Sequence, residues 1–489
     1  MRLSEKTLAR LPAEVARPAY ARARVANGIV HLGIGAFQRA HQAMYTEAAI
    51  AAGDTRWGIV GASLRSPSVR DQLKPQDCLY TLAVRSAEGE KLRVIGAIKD
   101  VLVAPESPEA LLRALSDPAI VIVTLTVTEK GYCYDPATAA LDETHPDIVH
   151  DLATPNQPRT APGFLVAALR RRREANVRPF TVLCCDNLPH NGQTVARIVT
   201  RFAELSDADF ARFIRNEIAF PSTMVDRITP ATTDGDRAAI AARLTVEDAA
   251  AVVTEPFSQW VIEDRFAGGI RPDWSIAGAE FVADVAPYEN MKLRLLNGAH
   301  STLAYLGYLA GYETVSDTIG DPNYRRLAEG VMDDAATTLK MPPGADVASY
   351  KHALIERFAN PALKHRTWQI CMDGSQKLPQ RLLGSIRDRL AVGAPIDHLV
   401  MGVAGWMRYV TGIDEHGQPI DVRDPLAARL RALADAAGLA ADRLAAALLE
   451  VREIFAPELA ADPRFRAAVT RALAAIIQKG AKQAVAEVA

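Results

Sequence analysis

Gly28-Ile29-Val30-His31-Leu32-Gly33-Ile34-Gly35-Ala36-Phe37-Gln38-Arg39-Ala40-His41-Gln42 sets the architecture of the amino-terminal half. Its first five residues read as a strand. Gly33-Ile34-Gly35 follows without a linker, and a helix then runs to about Ala52. Glycines at the end of a first strand let backbone approach a pyrophosphate at a helix N-terminus, because no Cβ stands in the way. Gly33, Ile34, Gly35, Ala36 and Phe37 are therefore candidate nucleotide contacts, and Arg39 offers a cation for a phosphate. The usual third glycine is absent, with Phe37 and Gln38 in its region, so a plain tight βα turn is the competing reading.

Strand and helix signals alternate from there. Residues 57–64 read as a second strand. An NAD-selective fold places an acid near the end of that strand for the ribose hydroxyls. Here the chain reads Arg65-Ser66-Pro67-Ser68, which leaves room for a 2′-phosphate, so NADP stays open beside NAD. Residues 92–103 read as another strand region, and about 108–115 as a helix. Residues 119–127 are a continuous β-rich run, as parallel sheets require, ending in Thr126-Val127-Thr128-Glu129-Lys130-Gly131-Tyr132. A helix at about 161–175 precedes a second such run, 180–185, which ends in Asp186-Asn187. Polar residues thus arrive at strand carboxyl ends, where open α/β sheets bind ligands. That makes Thr126, Glu129, Asp186 and Asn187 site candidates. Turn chemistry and helix capping explain Asp186-Asn187 equally well, and Glu129 reads equally as an exposed loop carboxylate. Residues 221–230, with Val225 and Asp226, lie between prolines as a loop or short strand. Segments 260–264 and 281–283 add strand candidates, and residues 1–27 read as an irregular arm.

Past about Ala286 the pattern becomes helical, with helices expected at 289–311, 323–339, 346–358, 378–391, 396–410, 425–438, 441–454 and 463–478. The expectation is two domains, a Rossmann-type domain over 1–285 and a helical substrate domain over 286–489. The helix 289–311 carries Lys292, Asn297 and His300, with Leu296 rather than an acid four residues past the lysine. At about 100° per residue the three project at roughly 0°, 140° and 80°, on one face. A desolvated lysine can act as a base near neutral pH, an amide can hold a developing alkoxide, and an imidazole can orient a hydroxyl. That combination suits oxidation of a secondary alcohol. A core helix with a surface lysine, a capping Asn and a satisfied core His is the plainer alternative. A polar stretch, 365–381, adds Arg366, Gln369 and Lys377 as candidate ligand contacts, with Asp373 or Ser375 as a helix cap.

Composition narrows the function classes. The 489 residues are 49% hydrophobic and 23% charged, with a formal net charge of −2, an ordinary globular balance. Nothing in it points to nucleic acid or an acidic membrane, and no apolar run approaches the ~20 residues of a membrane span. Cys78, Cys133, Cys184, Cys185 and Cys371 lack metal spacing and read as reduced thiols of a cytoplasmic protein, Cys184-Cys185 as packing.

Together these segments resemble the polyol-specific long-chain dehydrogenases, the mannitol dehydrogenase family, over essentially the whole chain. The resemblance rests on 33–42, 126–132, Cys185-Asp186-Asn187, Thr223-Met224-Val225-Asp226-Arg227-Ile228, the Lys292/Asn297/His300 spacing and Asp373-Gly374-Ser375-Gln376-Lys377. It implies an NAD-dependent oxidoreductase with no metal, a Rossmann-type parallel sheet followed by a mainly helical domain, and a site between them. By position it makes Lys292 the general acid/base, Asn187 and Asn297 an amide pair at the reacting oxygen, and His300 the partner of the neighbouring hydroxyl. Val225, Asp226 and Lys377 become substrate-side residues and Glu129 a cleft carboxylate. Mannitol-oxidising members tend to carry arginine where this chain has Gln369. The His365-Arg366-Thr367-Trp368-Gln369 stretch is more similar to the fructuronate reductases, also called D-mannonate oxidoreductases. The expected reaction is therefore D-fructuronate/D-mannonate, with D-mannitol/D-fructose as the alternative, in a monomer or weak oligomer. A dinucleotide-sensing module without catalysis and a dehydrogenase for phosphorylated polyols are the competing functions.

Overall fold

Asn27–Leu32 (β1) sits at the centre of a five-stranded sheet with Gly58–Ser63 (β2), Ile98–Val103 (β3), Ile122–Leu125 (β4) and Thr181–Cys184 (β5). The order is β3-β2-β1-β4-β5 and every pairing is parallel. The computed structural model describes residues 1–135 and 140–489, without the side chains of Glu129 and Lys130. Two units are formed, Met1–Ala286 and Pro287–Ala489. All four residues of β4 are buried, which explains why that segment reads as unbroken β-branched and apolar sequence. The strand order reverses between β1 and β4, and that switch point is where such sheets take their ligands.

The helices flanking this sheet begin and end on ordinary chemical signals. Ala161–Glu174 opens on Thr160, whose hydroxyl accepts from the Gly163 amide at 3.0 Å, carries Pro162 in its first turn and ends on Arg171, Arg172 and Arg173. The 92–103 region is not one strand, as its apolar run suggests. Gly89–Ile95 pairs antiparallel with Tyr80–Ser86 in a separate sheet completed by Val252–Thr254, and only Ile98–Val103 joins the main one. The break at Gly96 is held by Arg22 of the amino-terminal arm, which donates to Gly96 O (3.0 Å) and Ile98 O (2.9 Å). A third small sheet joins Thr223–Asp226, Gln259–Glu263 and Glu280–Val282.

The second unit is helical. Gly298–Leu309 is almost wholly buried and packs on Asp397–Tyr409. The approach is close because a Cβ at Gly402 would meet Thr302 Oγ1 at 2.3 Å. The segment expected as one helix from 289 is interrupted: Ala286–Met291 is α-helical, Lys292–Asn297 is a π-helix, and α-helix resumes at Gly298. The expected helix 378–391 is likewise divided into Gly374–Leu378, a π-helix over Pro379–Leu383, and Gly384–Ala391. Pro379 has no N–H to give the preceding turn, so widening there is the local response. The two π-segments pack together, and a Cβ at Gly298 would come within 2.9 Å of Arg381 O.

Candidate active site

In the first unit an open pocket of ≈ 1450 Å³ is lined by the carboxyl ends of β1, β2 and β4, including Gly33, Gly35, Arg65 and Thr126. Gly33 has φ +91°, and a Cβ there would stand 2.1 Å from Thr126 O. Only glycine fits a left-handed residue pressed against a neighbouring strand's backbone. Gly35 is different: a Cβ would meet nothing nearer than Gly33 O at 3.8 Å, so its free side opens on space. One glycine closes the turn against the sheet and the other leaves room for a ligand, the division a pyrophosphate requires. The residues present thus fit a dinucleotide.

Buried side chains fix this turn. His31 on β1 lies 2.7 Å from Thr124 Oγ1 and 2.8 Å from Thr126 Oγ1 through its two ring nitrogens, and Thr126 donates to Gly33 O at 2.8 Å. Burial lowers the His31 pKa to about 3, the Gly33 carbonyl opposing it, so the ring is neutral. Ile34 packs over Gly61, while Ala36 and Phe37 are half-buried, Phe37 stacking on His41 at 5.1 Å. Arg39, read from sequence as a phosphate contact, is buried and donates to Gly35 O (3.2 Å) and Ala250 O, with its guanidinium over the Tyr80 ring. It holds the turn's backbone from inside the protein.

At the end of β5, Asp186 accepts from the Val127 amide (3.0 Å), the Thr128 amide (3.0 Å) and the Tyr132 hydroxyl (2.7 Å). Its carboxylate therefore shapes the loop after β4, where Thr128 takes φ +62°. Asn187 is exposed on the next position. Asn191 locks this loop to the strand Thr223–Asp226, donating to Asp186 O (3.0 Å) and Thr223 O (2.9 Å). Val225 and Asp226 are buried on that strand. Glu129 begins a short helical turn, and its side chain lies outside the described residues.

In the second unit Lys292, Asn297 and His300 are 6%, 7% and 7% exposed. The π-segment spans the interval from Lys292 to Asn297, and its wider i→i+5 winding brings residues five apart closer in angle than the expected 140°. His300 stacks on Phe358 (5.1 Å) and meets His365 edge-on (5.0 Å). Its Nε2 is buried with no hydrogen-bond partner among the described residues. Burial holds the His300 pKa well below the usual value, reinforced by His365, Arg381, Arg357 and Lys377. Arg381, which spacing did not single out, donates to Ser301 Oγ at 2.9 Å from the second π-segment. Lys377 donates to Ile370 O and Met372 O.

Arg366 faces solvent with its side chain 62% exposed, 3.7 Å from Glu313. Gln369 is half-buried in Thr367–Cys371. Asp373 makes no side-chain cap, and Ser375 donates to Asp424 (2.6 Å) instead of capping a helix. Among the described residues no group of three or more His, Cys, Asp or Glu is placed to hold a metal ion, and no helix is long and apolar enough to cross a membrane.

Residues 27–276 match the family model of the Mannitol dehydrogenase Rossmann domain, and 284–477 that of the Mannitol dehydrogenase C-terminal domain. The D-mannonate oxidoreductase of Escherichia coli (strain K12) is 49% identical over 478 residues, 96% of this chain and 98% of its own. The mannitol 2-dehydrogenase of Aspergillus terreus is 41% identical over 495 residues, 98% of this chain and 97% of its own. Pseudomonas fluorescens mannitol 2-dehydrogenase, solved as a ternary complex with NAD and D-mannitol, is 40% identical with TM-score 0.94, covering 100% of this chain and 99% of that one.

Proposed function

This chain belongs to the mannitol dehydrogenase family, and from that premise we propose that it interconverts D-mannonate and D-fructuronate with NAD(H). At the coarser level it is an oxidoreductase acting on a CH–OH group of a polyol or sugar acid. Bound NAD would supply the hydride acceptor for the carbinol carbon. The amino-terminal pocket, through Gly33, Gly35 and Thr126, holds the dinucleotide. Lys292, rather than a metal, takes the hydroxyl proton as the carbonyl forms and returns it in reduction. The amides of Asn187 and Asn297 donate to the reacting oxygen as charge grows on it. His300, neutral at physiological pH, accepts from or donates to the neighbouring hydroxyl.

The observation that carries the choice of a sugar acid is the charge around His300. Arg381, Arg357 and Lys377 each oppose a positive charge on this buried ring, while His365, its own pKa lowered to about 4 by burial, is neutral. Coulomb attraction between such a cluster and a substrate carboxylate is strengthened by burial. Arg381 is the residue we assign to that carboxylate. The second reading, D-mannitol/D-fructose, is favoured by the likeness to the P. fluorescens enzyme solved with D-mannitol. Comparing kcat/KM decides between them. Fructuronate is expected to exceed fructose by at least about tenfold, ~1.4 kcal/mol of transition-state binding, and Arg381→Gln to erase most of that preference. Equal or better efficiency with fructose assigns the chain to mannitol oxidation.

A further inference from the structure

We propose that the amino-terminal pocket seats a 2′-phosphate on Arg65, so that the chain takes NADP(H) as well as NAD(H). The inference rests on the dinucleotide reading of that pocket and is independent of the substrate. The tips of β1 and β2 are adjacent: Gly33, at the pyrophosphate turn, donates its amide to Ala62 O at 2.9 Å, one residue before Ser63 closes β2. In this fold the adenosine ribose therefore lies against the residues that follow Ser63. An acid at that position binds the two ribose hydroxyls and repels a phosphate; an arginine does the reverse.

From Ser63 the chain reads Leu64-Arg65-Ser66-Pro67-Ser68-Val69-Arg70, with no carboxylate before Asp71. Asp71 is taken up by Arg70 at 2.8 Å. The acids lining the pocket are Glu106, Glu109, Asp142 and Asp147, of which Asp142 accepts from the Thr144 amide (3.0 Å) and hydroxyl (2.7 Å). Glu106 pairs with Arg70, Glu109 with Arg171 (2.9 Å), and Asp147 lies 3.6 Å from Arg159. Arg65 lines the pocket, is exposed, and has no acidic partner among the described residues. Its backbone is set by a turn in which Ser63 Oγ accepts from the Ser66 amide at 3.2 Å and the Arg65 amide at 3.4 Å. Ser66 and Ser68, next along the chain, pair their hydroxyls at 3.0 Å. A guanidinium at the tip of β2, where an NAD-selective site would carry an acid, matches a dianionic phosphate ester.

Isothermal titration of the full chain with NADH, NADPH and the fragments 2′,5′-ADP and 5′-AMP tests this without substrate or turnover. In wild type the NADPH Kd is expected within about tenfold of that for NADH, and 2′,5′-ADP to bind at least as tightly as 5′-AMP. Arg65→Ala is expected to raise the NADPH/NADH Kd ratio by at least about tenfold, the scale of one charge-assisted contact, with Arg65→Lys retaining part of the selectivity. NADH binding without NADPH binding, 2′,5′-ADP weaker than 5′-AMP, or a smaller change in the Arg65→Ala ratio overturns the proposal and leaves the dinucleotide pocket standing. Failure of all four ligands to bind overturns the pocket and the proposal together.

Discussion

Two glycines two residues apart, substituted one at a time, are expected to fail in opposite ways. Gly33→Ala forces an L-residue to φ +91° and drives its Cβ to 2.1 Å from Thr126 O and 2.6 Å from Thr126 C. The obstructing atoms are strand backbone, which no rotamer change can clear, so the tips of β1 and β4 must part. The dihedral strain alone costs about 1–3 kcal/mol. Losing the turn's fit, including the Thr126–Gly33 hydrogen bond, adds about 1 kcal/mol or more. A total near 3 kcal/mol corresponds to a fall in Tm of about 5–10 °C for a unit of this size. Gly35→Val is the control. Its φ of −98° is open to any residue and its Cβ meets only Gly33 O at 3.8 Å, so stability should hold within about 1 kcal/mol. The side chain instead fills the space assigned to the pyrophosphate, and NADH affinity should drop at least about 100-fold, ~2.7 kcal/mol. Differential scanning fluorimetry with an NADH titration reads both quantities from the same preparations. Unchanged melting of Gly33→Ala would refute the close-approach argument, and unchanged NADH affinity of Gly35→Val would move the dinucleotide elsewhere.

Three further outcomes are expected. Lys292→Ala should lower turnover by about 10²–10⁴ with NADH still bound, and near-normal turnover across pH would remove Lys292 from the proton transfer. Asn187→Ala and Asn297→Ala should each cost about 2–4 kcal/mol in kcat/KM, mainly through kcat; an effect confined to KM would make them substrate holders only. His31, with its pKa lowered to about 3 by burial, contributes stability that is full above the unfolded value of 6.5 and drains as pH falls, because the unfolded chain takes up the proton first. From pH 7 to pH 5 this one group should withdraw about 2 kcal/mol. Urea midpoints of wild type and His31→Gln should converge by that amount, and parallel pH curves would place the acid sensitivity in other groups.

The sheet was legible because its strands are buried on both faces, so 119–127 and 180–185 advertise themselves as unbroken β-rich runs. Tyr80–Ser86 escaped, and Gly89–Ile95 was read only from Leu92 and merged with Ile98–Val103, because the two form a small antiparallel sheet whose pattern is interrupted by charge, as in Arg85, Glu90 and Lys91. The site residues of the helical unit were visible as residue types on one segment, but their angular arithmetic assumed a uniform α-helix. The π-winding from Lys292 to Asn297 carries no local marker comparable to Pro379, so periodicity could not reveal it. Arg39 and Arg366 show the limit of reading charge from sequence. One is buried on backbone carbonyls and the other stands in solvent, and nothing in their neighbours' identities separates those fates. Arg381 lay within a polar stretch and gained significance only when the fold set it beside Ser301.

The central place of β1 has a consequence for how the chain is made. The ribosome delivers this strand first, yet one of its two flanks is completed only by Ile122–Leu125, roughly ninety residues later. Until then the growing sheet presents a bare row of amides and carbonyls on an apolar strand, the form most prone to pairing with another nascent chain. Contacts this distant along the sequence also slow the search for the native pairing. The inner strand that gives the nucleotide turn its rigidity in the finished protein is therefore its most exposed liability during synthesis.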